Sequence, residues 1–430
     1  MSEIVVVGAG PAGLVAALLL GADGHQVTVL ERDQARSGGL HRAWELWQRP
    51  GVSQFRMPHL LEPAGWRILR THLPDVVTQL RHAGAAAVNR SGGTWRVPSD
   101  TGRWPDGDFD TVAVRRPVLE AALAAVAQET PGVSLRQGAG VAGLVADRTT
   151  EGRALRIRGV VTPQGDSVHA DLVIDATGRH GQVSRMLREH GVTIAEERAS
   201  AGFAFHARHF AGPMPGQSAW EVRHHDSLST MVLPGDVGTW SVVLAAPDHD
   251  HQLRGLRHND VWQGAAALFP HVAAWAEGIP ISDVLTMKAD RSSRRSLMAD
   301  GRPVATGLLA IGDAWASTNP LFVRGLSMAF EHAVVLRNTV RAAAVDDAEQ
   351  VALRFHEAVQ ITLAPVYERL TGWDRHRLAL LDGMRQGRPR DGSPNGAGVG
   401  ASARYVTPDA DTAGLVAPGP SRAELLAAMA

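Results

Sequence analysis

Between an apolar β-branched run, Ile4-Val5-Val6-Val7, and a helical stretch over residues 11–20, the chain carries Gly8-Ala9-Gly10-Pro11-Ala12-Gly13. This G-x-G-x-x-G pattern is informative because a strand precedes it and a helix follows it. Gly8 permits the tight turn, Gly10 lets the backbone approach a diphosphate, and Gly13 lets helix and strand pack closely. The diphosphate would sit on the helix N-terminus, where unpaired amides and the dipole favour an anion. A second strand, Val27-Thr28-Val29-Leu30, ends at Glu31, which is placed to accept hydrogen bonds from the hydroxyls of an adenosine ribose. Its charge would repel a 2'-phosphate, so NADP is disfavoured here. A βαβ unit of this kind needs a parallel sheet around it.

At 430 residues the chain is long enough for two or three cores. Its net charge of -1 offers no long-range pull on polyanions, which argues against nucleic acid as a partner. Without cysteine there are no disulfides, no thiolate chemistry and no Cys-ligated metal, and an intracellular, cytoplasmic site is the default. Residues 4–22 are uncharged over about the length of a bilayer span, but the glycines and Pro11 inside the run argue against an integral membrane segment. The 19 histidines invite a metal reading. His206 and His209 fall on opposite sides of a predicted strand and His249-Asp250-His251 lies in a polar turn, so neither makes a ligand set and no metal site is expected.

Further along, residues 116–128 read as a helix, 133–144 as short strands, and 156–161 and 170–174 as more β structure. Phe203-Ala204-Phe205, 229–233 and 240–244 read as antiparallel strands of a second sheet. Residues 308–311 form another buried strand, 325–341 a long helix, and 348–381 a helical stretch. The glycine-, proline- and serine-rich 385–421 reads as a loose tail before a capping box, Ser421-Arg422-Ala423-Glu424, and a short terminal helix. A second G-x-G-x-x-G, Gly138 to Gly143, is followed by strand and turn, not helix, and reads as turn geometry.

Three segments in this order carry a family resemblance: the N-terminal fingerprint; Asp171-Leu172-Val173-Ile174-Asp175-Ala176-Thr177-Gly178-Arg179; and Ile311-Gly312-Asp313-Ala314 followed by Asn319-Pro320 and Gly325-Leu326-Ser327. Together they resemble the flavoprotein aromatic-hydroxylase superfamily, the class A FAD-dependent monooxygenases. Gln54-Phe55-Arg56-Met57-Pro58-His59 and the form Asp-Ala-Thr-Gly resemble its epoxidase and halogenase-like branch of secondary metabolism. The resemblance implies an α/β fold, with an FAD-binding Rossmann-type (glutathione-reductase-like) parallel sheet, an interleaved antiparallel-sheet substrate domain and C-terminal helices. Segments 1–75, 105–190 and 287–342 would form the FAD-binding domain. Segments 76–104 and 191–286 would form the substrate domain, 343–384 the helices, and 385–430 the tail.

For the cofactor the resemblance implies FAD. Arg116 would contact it and Val141 would meet the adenine through its backbone. Asp313 would bind the ribityl chain, and Pro320 would sit near the reacting edge of the ring. Gly325, Leu326 and Ser327 would offer amides to the flavin pyrimidine. Ala12, Arg32, Arg42, Gly178 and Gly312 complete the implied cofactor set. His59 is the catalytic candidate, able to titrate near neutrality as a base or donor, the alternative being a packed histidine. Trp220, Met231 and Phe322 are candidates for an apolar substrate wall, the alternative being core.

The implied reaction is monooxygenation: a flavin C4a-hydroperoxide delivers one oxygen of dioxygen to an aromatic ring or alkene. A flavin dehydrogenase or double-bond reductase on the same fold is the second reading, and a non-catalytic flavin-binding protein the third. Many family hydroxylases have Asp-Gly where this chain has Thr177-Gly178, and that Asp goes with NAD(P)H use. Electrons would therefore come from NAD(P)H directly or through a separate flavin reductase, a possible partner beside the small apolar or aromatic substrate. Halogenases of the family need an early lysine and a Trp-x-Trp-x-Ile-Pro segment. Lys288 is the only lysine and the segment is missing, which argues against halogenation.

Overall fold

The computed structural model describes residues 1–34, 38–90, 94–96, 107–148, 154–215, 221–343, 345, 347–386 and 417–429. The apolar runs assemble into a five-stranded parallel sheet in the order Leu308–Ala310, Leu172–Asp175, Glu3–Val7, Gln26–Glu31, Val133–Gln137. Side chains alternate across a strand, so a sheet covered on both faces needs apolar residues at every position. Ile4 and Val6 accordingly enter one core and Val5 and Val7 another. The first core is closed by the helices Pro11–Ala22, Arg116–Glu129 and Gly325–Ala342. The second is closed by antiparallel strands that include Gly143–Arg148 and Leu155–Val161. Residues 4–22 are thus a strand and a helix of the first core, and no helix among the described residues is long and apolar enough to cross a membrane.

A second, antiparallel sheet is built from Glu221–His224, Ser229–Pro234, Thr239–Pro247, Ala195–Ala211, Leu285–Ser296 and Ala316–Ser317. The helices Asn259–Ala267 and Pro270–Ala276 cover it through Trp262, Phe269 and Trp275. The C-terminal helical stretch is two helices, Ala348–Thr362 and Ala364–Arg385. The break falls at Pro365, which lacks the N–H that a continuing helix would use. The second of the pair joins both cores: Tyr367 and Leu370 pack with the parallel sheet's core, Trp373 and Leu381 with the antiparallel sheet's.

The terminal helix, Arg422–Ala428, begins with the capping box expected at Ser421 and Glu424. It docks on the second sheet's layer through buried Leu425 and a bidentate pair from Arg422 to Asp250, at 2.6 and 2.9 Å. The rest of the expected tail, 387–416, lies outside the described residues.

Candidate active site

A cleft of about 430 Å3 runs from the first βα turn to the face of the second sheet. At one end Gly8 has φ of 105°, and a methyl group there would lie 2.6 Å from the Ala176 carbonyl oxygen. A methyl at Gly13 would lie 2.0 Å from the Gly8 oxygen, whereas one at Gly10 would meet nothing within 4 Å. Gly8 and Gly13 therefore serve packing, and Gly10 leaves open space over the helix end. No side chain caps that end. The Ala12 and Gly13 amides, which by position have no intrahelical partner, are left for a ligand. Such a cradle fits the diphosphate of a dinucleotide.

Most of the expected cofactor residues converge here. Gly8, Gly10, Ala12, Glu31, Arg32, Arg116, Val141, Gly178, Asp313, Pro320, Gly325 and Leu326 all line the cleft. The second glycine pattern leads into the strand Gly143–Arg148, as its sequence suggests, and places Gly140 and Val141 on the same wall. Gly13, Gly312 and Ser327 stand behind the lining. The Ser327 hydroxyl accepts the Glu62 amide at 3.0 Å, and the Gly312 amide donates to His332 Nδ1 at 3.2 Å. No side chain caps the helix Gly325–Ala342, so its first amides also point out unpaired.

Arg42 is not in the cleft. Its side chain is exposed and pairs with Glu45, at 3.4 Å, because the short 3-10 turn that carries it faces outward. The cation that enters instead is Arg49, which the sequence reading missed. It pairs with Glu31, reaches Glu120 at 2.5 Å and Asp33 at 3.4 Å, and donates to the Ala9 carbonyl at 3.1 Å. Burial opposes its charge, but Glu120, Glu31 and Asp33 outweigh burial and push its pKa up. Glu31 fastens the turn by accepting the amides of Ala9, at 2.8 Å, and Asp33, at 3.0 Å. Fully buried Glu120 also holds Arg116 Nε at 2.6 Å, so one carboxylate anchors both cations. Glu120→Gln is expected to lower unfolding stability by about 3–5 kcal/mol, the cost of stripping a buried ion pair of one partner. A urea midpoint equal to that of the parent chain would rule out this anchoring.

His59 lines the cleft but does not titrate near neutrality as expected. Burial first, then Arg116, hold it down to about 3. Its Nδ1 lies 2.7 Å from the Met57 carbonyl oxygen and must carry the proton, while Nε2 lies 3.2 Å from Arg116 Nη1 and must accept. Both ring nitrogens are occupied, so the imidazole is a neutral brace for Arg116. It is not a base. Thr177 is likewise occupied: its hydroxyl and amide donate to Asp175 Oδ1 at 2.5 and 3.0 Å. Burial raises the Asp175 pKa, and the two Thr177 bonds oppose that shift.

At the far end of the cleft the wall is apolar: Met57, Phe205, Met231, Val243 and Met287. Of the expected substrate residues Met231 is among them. Phe322 is not, since its ring packs edge-on against Trp373 at 4.5 Å. Trp220 lies outside the described residues. Phe205, Val243 and Met287 were missed, because which face of a strand meets a cofactor cannot be read from alternation alone. Among the described residues no group of three or more His, Asp or Glu could hold a metal ion.

Comparison with known proteins agrees with this geometry. PqsL, a probable FAD-dependent monooxygenase from Pseudomonas aeruginosa, superimposes with a TM-score of 0.63 at 17% identity, covering 90% of this chain and 98% of its own. The flavin-dependent brominase Bmp2 gives 0.62 at 16%, covering 89% and 90%. A flavoprotein/dehydrogenase from Cytophaga hutchinsonii gives 0.59 at 17%, covering 88% and 87%. At these identities the likeness is one of fold. No curated protein matches the sequence. The family described as FAD binding domain matches residues 1–354, which is most of the chain and takes in the fingerprint, Asp313 and the helix that starts at Gly325. With the glycine cradle, Arg116 and Asp313 brought to one cleft, this chain belongs to the FAD binding domain family, within the aromatic-hydroxylase-like flavoproteins.

Proposed function

We propose that the protein is an FAD-dependent monooxygenase that inserts one atom of dioxygen into a neutral aromatic or alkene substrate, by hydroxylation or epoxidation. FAD, when bound, supplies the reducing electrons and the site where dioxygen is activated. The observation that carries the reading is the continuity of the cofactor cleft with the apolar chamber formed by Met57, Phe205, Met231, Val243 and Met287. The four residues from the second sheet carry no ionisable group, so the chamber favours a flat, uncharged molecule and would keep bulk water from the bound cofactor. Methionine side chains adapt to irregular ligands and contact aromatic rings well. Arg116, braced by Glu120 and His59, presents its remaining N–H groups to the cleft as fixed donors.

One feature weighs against halogenation, and another bears on the source of electrons. Lys288 is exposed, and it neighbours Met287, so it points to the opposite face of its strand from the chamber. Thr177 replaces the acid associated with NAD(P)H use and spends its hydroxyl on Asp175, which favours electrons arriving through a separate flavin reductase.

The test uses the FAD-loaded chain with NADH or NADPH, with and without an added flavin reductase, under 18O-labelled dioxygen and a panel of phenols and alkenes. A product heavier by one labelled oxygen is expected, with turnover greater when the reductase is present. Substrate oxidation or reduction under anaerobic conditions with a dye acceptor would replace this reading with a dehydrogenase or double-bond reductase.

A further inference from the structure

The cleft wall at 320–323 is a short 3-10 turn, Pro320–Phe322, capped by Asn319, whose Oδ1 accepts the Leu321 amide at 3.1 Å. The next residue, Val323, has φ of 53°, a left-handed conformation that is strained for a β-branched side chain. Strain of this kind persists only where the surroundings over-determine it. The bracing comes from the helix Ala364–Arg385, which lies beyond the residues the family pattern covers. Asp374 Oδ1 accepts Asn319 Nδ2 at 2.7 Å, and the neighbouring Trp373 meets Phe322 edge-on. Asp374 is fully buried, and its Oδ2 has no hydrogen-bond partner.

We propose that Asp374 is a positioning residue: through Asn319 it fixes the turn that carries Pro320 and Val323 into the cleft, and so sets the environment of the flavin bound there. This rests on the cleft holding FAD. A carboxylate is an unusual choice for a dry position, where an amide would accept the same bond without a charge. Burial pushes the carboxyl up to about 7, with the Asn319 bond opposing the rise. Near neutrality it therefore passes between a neutral acid and a carboxylate, and the ionised form holds Asn319 by the stronger, charge-assisted bond. Of the ionisable groups nearby, Tyr367, Arg377, His224 and His225 do not change charge in that range. Tyr367, on the same helix, is pushed up to about 12 by burial and then by Glu197. Arg377, also on that helix, donates to the His225 carbonyl. His224, whose ring faces Trp373, and His225 are held down to about 3 and about 4, in each case by burial first.

The experiment compares the FAD-loaded parent chain with Asp374→Asn, which keeps an acceptor for Asn319 but cannot titrate, and Asp374→Leu, which removes the acceptor. Hydrogen exchange over 319–326 is expected to be at least about ten-fold faster in the leucine variant, the scale of one charge-assisted bond, and to fall between parent and leucine variant in the asparagine variant. The flavin midpoint potential of the parent should depart from that of the asparagine variant across pH 6 to 8, the two curves running parallel outside that range. Unchanged exchange in the leucine variant, or superimposable potential curves for parent and asparagine variant, would overturn the proposal. If the leucine variant does not fold, the potential comparison alone decides. If the chain takes up no flavin, the FAD reading fails, while exchange in the flavin-free chain still decides whether Asp374 holds the turn.

Discussion

Gly13→Ala is expected to yield a chain that purifies colourless and takes up FAD at least a hundred-fold more weakly than the parent, about 2.7 kcal/mol of binding free energy. The methyl group would lie 2.0 Å from the Gly8 oxygen and 3.2 Å from the Ala176 methyl. Backbone and a β-carbon cannot swing aside as a long side chain can, so the helix Pro11–Ala22 must lift off the sheet and carry its amides out of register with the diphosphate. Overpacking a core in this way costs about 1–3 kcal/mol of stability as well. Gly10→Ala separates the two effects. Its methyl group meets nothing within 4 Å, so thermal stability should match the parent while FAD affinity falls, because the space it fills is where the diphosphate approaches. Calorimetric titration with FAD and a melting curve on each variant make the comparison. If both variants bind FAD as the parent does, the cradle is not where the dinucleotide sits.

These glycines were legible because the strand–turn–helix they belong to is local in sequence. The strand before the fingerprint and the helix after it follow from local periodicity, and so does the strand after the second glycine pattern. Arg49 was not legible. It sits between Gln48 and Pro50 in a stretch with no period, and it matters only because folding brings Glu120, 71 positions on, within 2.5 Å. His59 shows the converse. Its position in the cleft was readable from the Gln54 to His59 run, but its charge state was not, since that depends on burial and on the Arg116 guanidinium, which no local pattern reports. That Phe322 and Arg42 stand away from the cleft was not legible for a related reason: an apolar or basic residue near a motif says nothing about which way its turn faces. Pro365, by contrast, is a visible signal of where the C-terminal helical stretch divides.

Lowering the pH from 7 to 5 is expected to remove about 5 kcal/mol of stability, enough to unfold a chain of ordinary marginal stability or bring it close. Buried histidines drive this, among them His206, His209 and His225, each held down to about 4, and His332, held down to about 3, with burial the largest cause in every case. An unfolded histidine takes its proton near pH 6.5. Between that value and 3 to 4 the unfolded chain binds more protons than the folded one, so stability is full above about 6.5 and falls as the pH drops. At pH 5 each histidine accounts for about 2 kcal/mol, or about 8 for the four as an upper bound. Asp374 works in the other direction: its raised pKa means that the folded form gains the proton first on acidification, offsetting about 2 to 3 kcal/mol. His332 ties this loss to the cofactor. Its Nδ1 accepts the Gly312 amide at 3.2 Å, so protonation there sets two donors face to face at the turn that carries Asp313. Release of FAD should therefore accompany or precede the loss of helical circular dichroism as the pH is lowered. A urea midpoint that stays level from pH 7 to pH 5 would show that these imidazoles are hydrated in the folded chain, and flavin retained after the helices have melted would separate His332 from the cofactor turn.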